Sequence, residues 1–128
     1  MMNIEDEQTL NTQQERESLR IQALIDEDGK TPKQKAGLFV EQALLYGDAQ
    51  QYAEEITSYE KALEIKPNYQ QVWYNRGIAL VNLGRVEEAI ASYDKALEFK
   101  PDKDEAWNNR GIALGNLGRL EEAIVSYD

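Results

Sequence analysis

Asparagine is the residue type whose chemistry and spacing in this sequence indicate a binding surface. Five asparagines recur over two stretches of the chain: Asn75, Asn82, Asn108, Asn109 and Asn116. Each side-chain amide offers both hydrogen-bond donors and an acceptor, which suits gripping the main chain of an extended peptide. Asparagine is a poor helix former, so its concentration in helical segments needs a reason. The alternative is that these are solvated polar positions copied by duplication of a repeat.

The residues that usually perform catalysis are scarce. The chain contains neither histidine nor cysteine, which removes the commonest general base, the Ser-His and Cys-His nucleophiles and the usual zinc ligands. Glu87-Glu88 and Glu121-Glu122 are adjacent carboxylates, but adjacent helical residues point apart, and their charge favours a helix N-terminus. No glycine-rich phosphate loop is present. We therefore expect a protein that is not an enzyme and that carries no cofactor and no metal.

The charge of the chain limits the classes of partner. The formal net charge is −10, and half of it lies in residues 1–30. A negative field repels phosphate groups, so we expect neither nucleic acid nor an anionic membrane surface as a partner. The N-terminal sequence lacks the basic and apolar regions of a secretory signal. Because the chain has no cysteine, a reducing compartment suits it, and we expect a cytoplasmic location.

An internal repeat must position the asparagines. When Gln70–Lys103 is moved forward by 34 residues, the segment nearly overlays the sequence that follows it. The matched positions include Trp73 with Trp107, Asn75 with Asn109, Gly77 with Gly111, Leu83 with Leu117, and Tyr93 with Tyr127. When the same segment is moved backward by 34 residues, it matches the preceding sequence more loosely, and Tyr93 then aligns with Tyr59 and Pro101 with Pro67. A fixed period of this length indicates stacked supersecondary units that bury their apolar faces only together.

The central unit reads as two helices. Trp73, Gly77 and Leu80 share one face of the first helix, and Gly84 is suited to end it, because glycine tolerates a left-handed backbone. The second helix presents an apolar face and ends at Lys100-Pro101. That face consists of Ala89, Ile90, Tyr93, Ala96 and Leu97. We expect Gly77 and Ala89 to allow close approach of the helices, with Trp73, Leu80 and Tyr93 filling the core.

The N-terminal third is less regular. In residues 1–30 we expect disorder to about Thr9 and then a helix to about Asp26, whose few apolar residues dock on the first repeat as a cap. A flexible acidic tail is the alternative. Thr31, Pro32 and Gln34 predict a helix start with a capping box. This helix ends either at Gly47-Asp48, with a second capping box from Asp48 to Gln51, or near Gln50, where the repeat register places the turn.

The spacing of Trp73, Gly77, Leu80, Ala89, Tyr93, Ala96 and Pro101 resembles that of tetratricopeptide repeats. The resemblance covers residues 36–128, and the Arg76-Gly77 and Arg110-Gly111 pairs are similar to bacterial members. It implies an all-α fold, an α-solenoid of antiparallel helix pairs in a right-handed superhelix. We divide the chain into an acidic segment (1–30), a degenerate unit (31–69), a complete unit (70–103) and a unit cut short (104–128). The last boundary leads us to expect a fragment of a longer protein.

The resemblance also implies a function. In this family the first helices line a concave groove, and the corresponding positions in the two regular units are Tyr74, Asn75, Ile78, Asn82, Asn108, Asn109, Ile112 and Asn116. In the degenerate unit they are Gly37, Val40, Glu41, Leu44, Gly47 and Asp48. We expect a non-catalytic protein-interaction scaffold that binds a partner peptide or helix in this groove. The two tryptophans are assigned to the core.

Some relatives in this family clamp acidic C-terminal tails between basic residues and asparagine. Asn75 and Asn109 could form the asparagine half of such a clamp, but no basic residue falls at the groove positions. Arg76 and Arg110 are the remaining candidates, and we expect their aliphatic stems to lie along the seam between repeats with the charge in solvent. The clamp is therefore not carried over to this chain.

Two other roles remain open from the sequence. In the first, the chain has a structural or assembly role and associates with itself through the open C-terminal edge after Asp128, near Trp107 and Leu114. In the other, the repeats are the regulatory arm of a longer protein. The identity of the partner does not follow from the sequence.

Overall fold

The computed structural model describes residues 4–118 of the chain. Within this range the fold is an all-α solenoid, as the sequence predicts. The helices are α1 (Ile4–Asp26), α2 (Pro32–Asp48), α3 (Tyr52–Ile65), α4 (Gln70–Asn82), α5 (Val86–Phe99) and α6 (Asp104–Asn116). Each helix packs against the next one along the chain, most extensively within the pairs α2–α3 and α4–α5. None of these helices is long and apolar enough to cross a membrane.

Left-handed residues set the turns between the helices of a pair. Gly84 and Gly118 have φ angles of 84° and 76°, and the corresponding position in the first pair is Gln50, with φ of 59°. A non-glycine residue in this region is strained by roughly 1–2 kcal/mol. The repeat register therefore places the turn residue correctly at Gln50, and α2 ends at Asp48, where the other alternative placed the end of the helix. The proposed second capping box is wrong, since no side chain caps the N-terminus of α3.

The start of α2 follows the sequence prediction. The Thr31 hydroxyl accepts a hydrogen bond from the Gln34 backbone N–H at 3.1 Å, and the Gln34 side chain accepts one from the Thr31 N–H at 2.9 Å. Pro32 is the first residue of the helix. This reciprocal pair satisfies two backbone donors that would otherwise lack partners.

The core consists of side chains from successive helices rather than of the tryptophans. Its largest fully buried members are Tyr59, Tyr93, Ile56, Leu80, Leu114 and Val72. Trp73 is only partly buried, and Trp107 is 37% exposed. The assignment of both rings to the core is therefore wrong for Trp107 and only partly right for Trp73. Each indole N–H donates a 2.7 Å hydrogen bond to a loop carbonyl, Trp73 to Pro67 and Trp107 to Pro101.

The helix α1 lies against α2 and begins at Ile4, earlier than the sequence indicates. Ile21 and Ile25 are buried, whereas Leu19 is exposed on the opposite side. Polar side chains join this contact to α3. The Gln42 amide donates to Gln22 at 3.0 Å, and the Ser58 hydroxyl donates to Gln42 at 3.2 Å.

Part of the predicted third unit lies outside the described residues. This applies to the expected helix with Ala123 and Tyr127, to the Glu121-Glu122 pair, and to the edge after Asp128 that was considered for self-association. The division of the chain into four segments stays a prediction.

The contact between α4 and α5 gives a direct test of the packing. A Cβ atom at Gly77 would lie 2.5 Å from Cε1 of Tyr93, whereas a Cβ at Gly37, in the interior of α2, would meet nothing within 4 Å. We expect Gly77→Ala to lower the free energy of unfolding by about 1–3 kcal/mol through overpacking. Gly37→Ala is the control, and we expect it to raise stability by roughly 0.5–1 kcal/mol. Urea denaturation of both variants measures the difference, and equal stabilities would contradict the close approach.

Candidate functional site

The exposed faces of α2, α4 and α6 carry the same arrangement of side chains. Each helix presents an aliphatic residue with a polar residue one turn before it and another one turn after it, on one helical face. The three sets are Glu41, Leu44 and Asp48; Asn75, Ile78 and Asn82; and Asn109, Ile112 and Asn116. The aliphatic side chains are 48%, 36% and 46% exposed in that order. We call Leu44, Ile78 and Ile112 the aliphatic ladder.

Between α4 and α6 this surface forms a hollow of about 180 Å³. It is lined by Ile78, Val81, Asn82, Tyr93, Asn109, Ile112, Ala113 and Asn116. Five of the eight residues predicted for the groove therefore lie together: Ile78, Asn82, Asn109, Ile112 and Asn116. The hollow combines apolar contact area with amide groups at its margin.

The other three predicted residues do not line the hollow. The Tyr74 hydroxyl accepts a 2.8 Å hydrogen bond from the Asn109 amide, and the Asn75 side-chain oxygen accepts one from Gln71 at 3.0 Å. Asn108 is exposed. The amides of Asn75 and Asn109 thus already serve to join neighbouring side chains. Asn82 and Asn116 are exposed at the helix ends, where a ligand can reach them.

Tyr93, for which the sequence predicts a core position only, forms the floor of the hollow. Its ring lies beneath α4 because Gly77 has no side chain there. The ring is tilted by 44° against that of Tyr74, with centroids 5.9 Å apart. Burial raises the pKa of the Tyr93 hydroxyl to about 12, so the floor of the hollow is uncharged at neutral pH. The pairing of a glycine with an aromatic residue in the repeat was the signal that could have located it.

Lys103 is a second residue that the sequence analysis missed. It precedes α6 in the loop, and only 6% of it is exposed. Its ammonium donates to Gln71 at 2.8 Å, lies 3.6 Å from the Glu105 carboxylate and sits 4.8 Å from the ring centroid of Tyr74. A carboxylate therefore already balances its charge, and it does not restore the basic half of a clamp for acidic tails.

The two arginines correct another expectation. Arg76 and Arg110 do lie on the seam between repeats, but their charges are not directed to solvent. Arg76 Nη2 is 4.0 Å from the Glu60 carboxylate, and Arg110 Nε donates to Asp94 at 2.6 Å. Each arginine thus meets a carboxylate on the second helix of the preceding pair, because stacking of the repeats brings positions 16 residues apart together.

A buried carboxylate lies at the end of this surface in the first pair. Glu55 is 8% exposed and occupies the position that Ala89 holds in the next repeat. A Cβ at Gly47 would lie 2.8 Å from the Glu55 carboxyl carbon, so this glycine makes room for the carboxylate. Burial raises the pKa of Glu55, and the nearby charge of Asp48 raises it further, against a hydrogen bond from Tyr59 that lowers it.

Comparison with known proteins agrees with the geometry. The model of the TPR repeat matches residues 43–84 and 79–118. The chain belongs to the tetratricopeptide repeat family. The residues that line the hollow all lie within the matched part of the TPR array. No curated protein matches the sequence.

Several solved structures of MamA are similar to this TPR array. A MamA AMB-1 structure is 26% identical with a TM-score of 0.76, and the match covers 88% of this chain and 60% of that one. A MamA MSR-1 structure is 24% identical with a TM-score of 0.74, covering 93% and 66%. Across four MamA structures the chain spans between 50% and 66% of the length of its relative. The likeness below 25% identity supports the fold alone.

Asn108 and Asn109 are adjacent on α6, and replacing each of them distinguishes an asparagine with a structural role from one that is only solvated. We expect Asn109→Ala to lower the free energy of unfolding by about 0.5–1.5 kcal/mol, because it removes the hydrogen bond to Tyr74. Asn108→Ala is the control. It removes an exposed side chain and introduces a better helix former, so we expect stability unchanged or slightly raised. Thermal and urea unfolding measure both, and a neutral Asn109→Ala would assign Asn109 to the solvated class.

The raised pKa of Glu55 predicts a pH dependence of stability. A carboxyl group whose pKa is higher in the folded state contributes most stability below its unfolded pKa, and this contribution is lost as pH rises through the folded value. Glu55→Gln removes the titration, so we expect this variant to be more stable than the wild type at pH 7, with the difference shrinking towards pH 4. The exposed Glu64→Gln serves as the control. Unfolding midpoints across this range test the prediction, which a constant difference for Glu55→Gln would contradict.

Proposed function

We propose that this TPR array is a non-catalytic protein-interaction scaffold that binds a peptide or helix of a partner protein along the face of α2, α4 and α6. The observation that carries the proposal is the hollow between α4 and α6, in which exposed Ile78 and Ile112 lie above the Tyr93 ring. TPR repeats generally supply such a scaffold, which supports the proposal at the level of the family.

The chemistry of the hollow fits a main-chain ligand. Asn82 and Asn116 offer exposed amides on opposite sides of the apolar floor, and each can donate to a peptide carbonyl and accept from a peptide N–H. The aliphatic ladder provides contact area for the ligand's side chains, whose burial is worth about 25 cal/mol per Å² of apolar surface before the costs of association. A cytoplasmic setting belongs to the same proposal, because a chain without cysteine suits a reducing compartment. A bacterial source is proposed from the likeness of the Arg76-Gly77 and Arg110-Gly111 pairs to bacterial members.

Selection from a library of displayed peptides tests the proposal without a known partner. Peptides enriched on the wild-type protein are measured again on a groove variant, Ile112→Ala with Asn116→Ala. We expect their affinity to fall about tenfold or more, because the variant removes both an apolar contact and an exposed amide from the hollow. Leu19→Ala with Asn68→Ala is the control, since it removes an exposed aliphatic residue and an exposed asparagine away from the groove.

The control variant should keep the wild-type affinity. If the groove and control variants bind the selected peptides equally, the groove is not the binding surface and the proposal is wrong. Circular dichroism of both variants establishes that neither result comes from unfolding.

A further inference from the structure

We infer that the partner segment of this groove is cationic, with lysine or arginine side chains at the α2 end and aliphatic side chains over Ile78 and Ile112. The inference rests on the proposed function and adds the chemistry of the partner. It rests on a change of polarity along the groove. This change appears when the equivalent positions of α2, α4 and α6 are compared.

An exposed aliphatic residue recurs on all three helices, but the polar residues beside it differ from helix to helix. Ile78 and Ile112 are flanked by asparagines, whereas Leu44 is flanked by Glu41 and Asp48, both exposed. A ligand that crosses all three helices therefore meets amides at one end of the groove and carboxylates at the other. Its apolar side chains can follow the same ladder throughout.

Glu55 strengthens the acidic end. Its carboxylate is buried beneath Gly47, close enough to Asp48 for the two charges to repel each other. No ion pair among the described side chains includes Glu41, Asp48 or Glu55. The hydrogen bond that Glu55 accepts from Tyr59 brings no counter-charge. Buried charges are usually paired, because desolvation without a counter-charge is costly. An ammonium or guanidinium group from a ligand would supply the missing charge.

Three basic residues near the α4 and α6 part of the groove are already engaged with carboxylates of this chain. Arg76 and Arg110 are directed to Glu60 and Asp94 on the seam, and Lys103 lies beside Glu105. On α2, Lys33 and Lys35 lie near the N-terminus of the helix, whereas Glu41 and Asp48 lie in its second half, close to Glu55, in a chain whose net charge is −10. Such a field attracts cationic segments and speeds their association, while it opposes acidic tails.

Binding of three designed peptides to the intact protein tests the inference. The peptides share one pattern of leucines, and their polar positions are all lysine, all glutamine or all glutamate. Fluorescence polarisation should show about tenfold tighter binding of the lysine peptide than of the glutamine peptide, weaker binding still of the glutamate peptide, and a preference that declines as salt is added.

Two variants with the same net charge locate the effect. Glu41→Gln with Asp48→Asn and Glu55→Gln neutralises the acidic end of the groove. Glu54→Gln with Glu64→Gln and Glu87→Gln neutralises three exposed carboxylates on the second helices. We expect the first variant to lose most of the preference for lysine, about tenfold, and the second to change it by less than about twofold, since distant surface charges are screened.

The remaining outcomes overturn the inference. Equal loss in both variants would mean general adhesion to an acidic surface. A glutamine peptide that binds as tightly as the lysine peptide removes the charge requirement but leaves the proposed groove standing, provided that Ile112→Ala with Asn116→Ala still abolishes its binding. If no designed peptide binds, the partner chemistry is wrong, and the library selection alone decides on the groove. The variant with Glu41→Gln, Asp48→Asn and Glu55→Gln contains a change that we expect to be stabilising, and circular dichroism of both triple variants establishes that unfolding does not mimic the expected loss.

Discussion

The contact between Gly77 and the Tyr93 ring is the interaction on which the complete repeat depends. Because glycine has no side chain, α4 and α5 approach closely enough for the ring to pass beneath the backbone of α4. This approach buries Leu80 and Ala89 completely and leaves the same ring as the floor of the hollow. Packing and binding surface therefore arise from one contact, and a change that opens it would alter both.

Electrostatic pairing follows from the stacking of repeats rather than from any single helix. Arg76 and Arg110 meet Glu60 and Asp94 across two successive seams. At the first seam Gln42 stands at the position of these arginines and bonds to Gln22 of α1. This seam is therefore neutral, and α1 occupies the place that the second helix of a preceding repeat would hold. Because the carboxylate of each pair is about half exposed, we expect each pair to contribute less than about 1 kcal/mol and to set register more than stability.

The groove divides its polar residues between two tasks. Asn109 holds Tyr74, and Asn75 accepts a hydrogen bond from Gln71, so these amides fix the relative positions of neighbouring side chains. Asn82 and Asn116 remain exposed at the margin of the hollow. A repeated residue type thus carries different roles at different turns of the same helix, depending on what the neighbouring repeat places opposite it.

The sequence by itself determined the repeat period, the helix pairs and the family. Small and aromatic residues at fixed spacing specify the repeat. A position that points away from the core in one repeat does so in the next, which is why Ile78 and Ile112 are both exposed at the hollow. The tertiary structure alone decided the partners of Arg110, Lys103 and Asn109. Their contacts join residues 16 to 35 positions apart, and such pairings depend on how one helix pair is seated on the next. Local periodicity carries no information on that superposition, and for the same reason Tyr93 became visible as the floor of the groove only when α4, α5 and α6 were packed together.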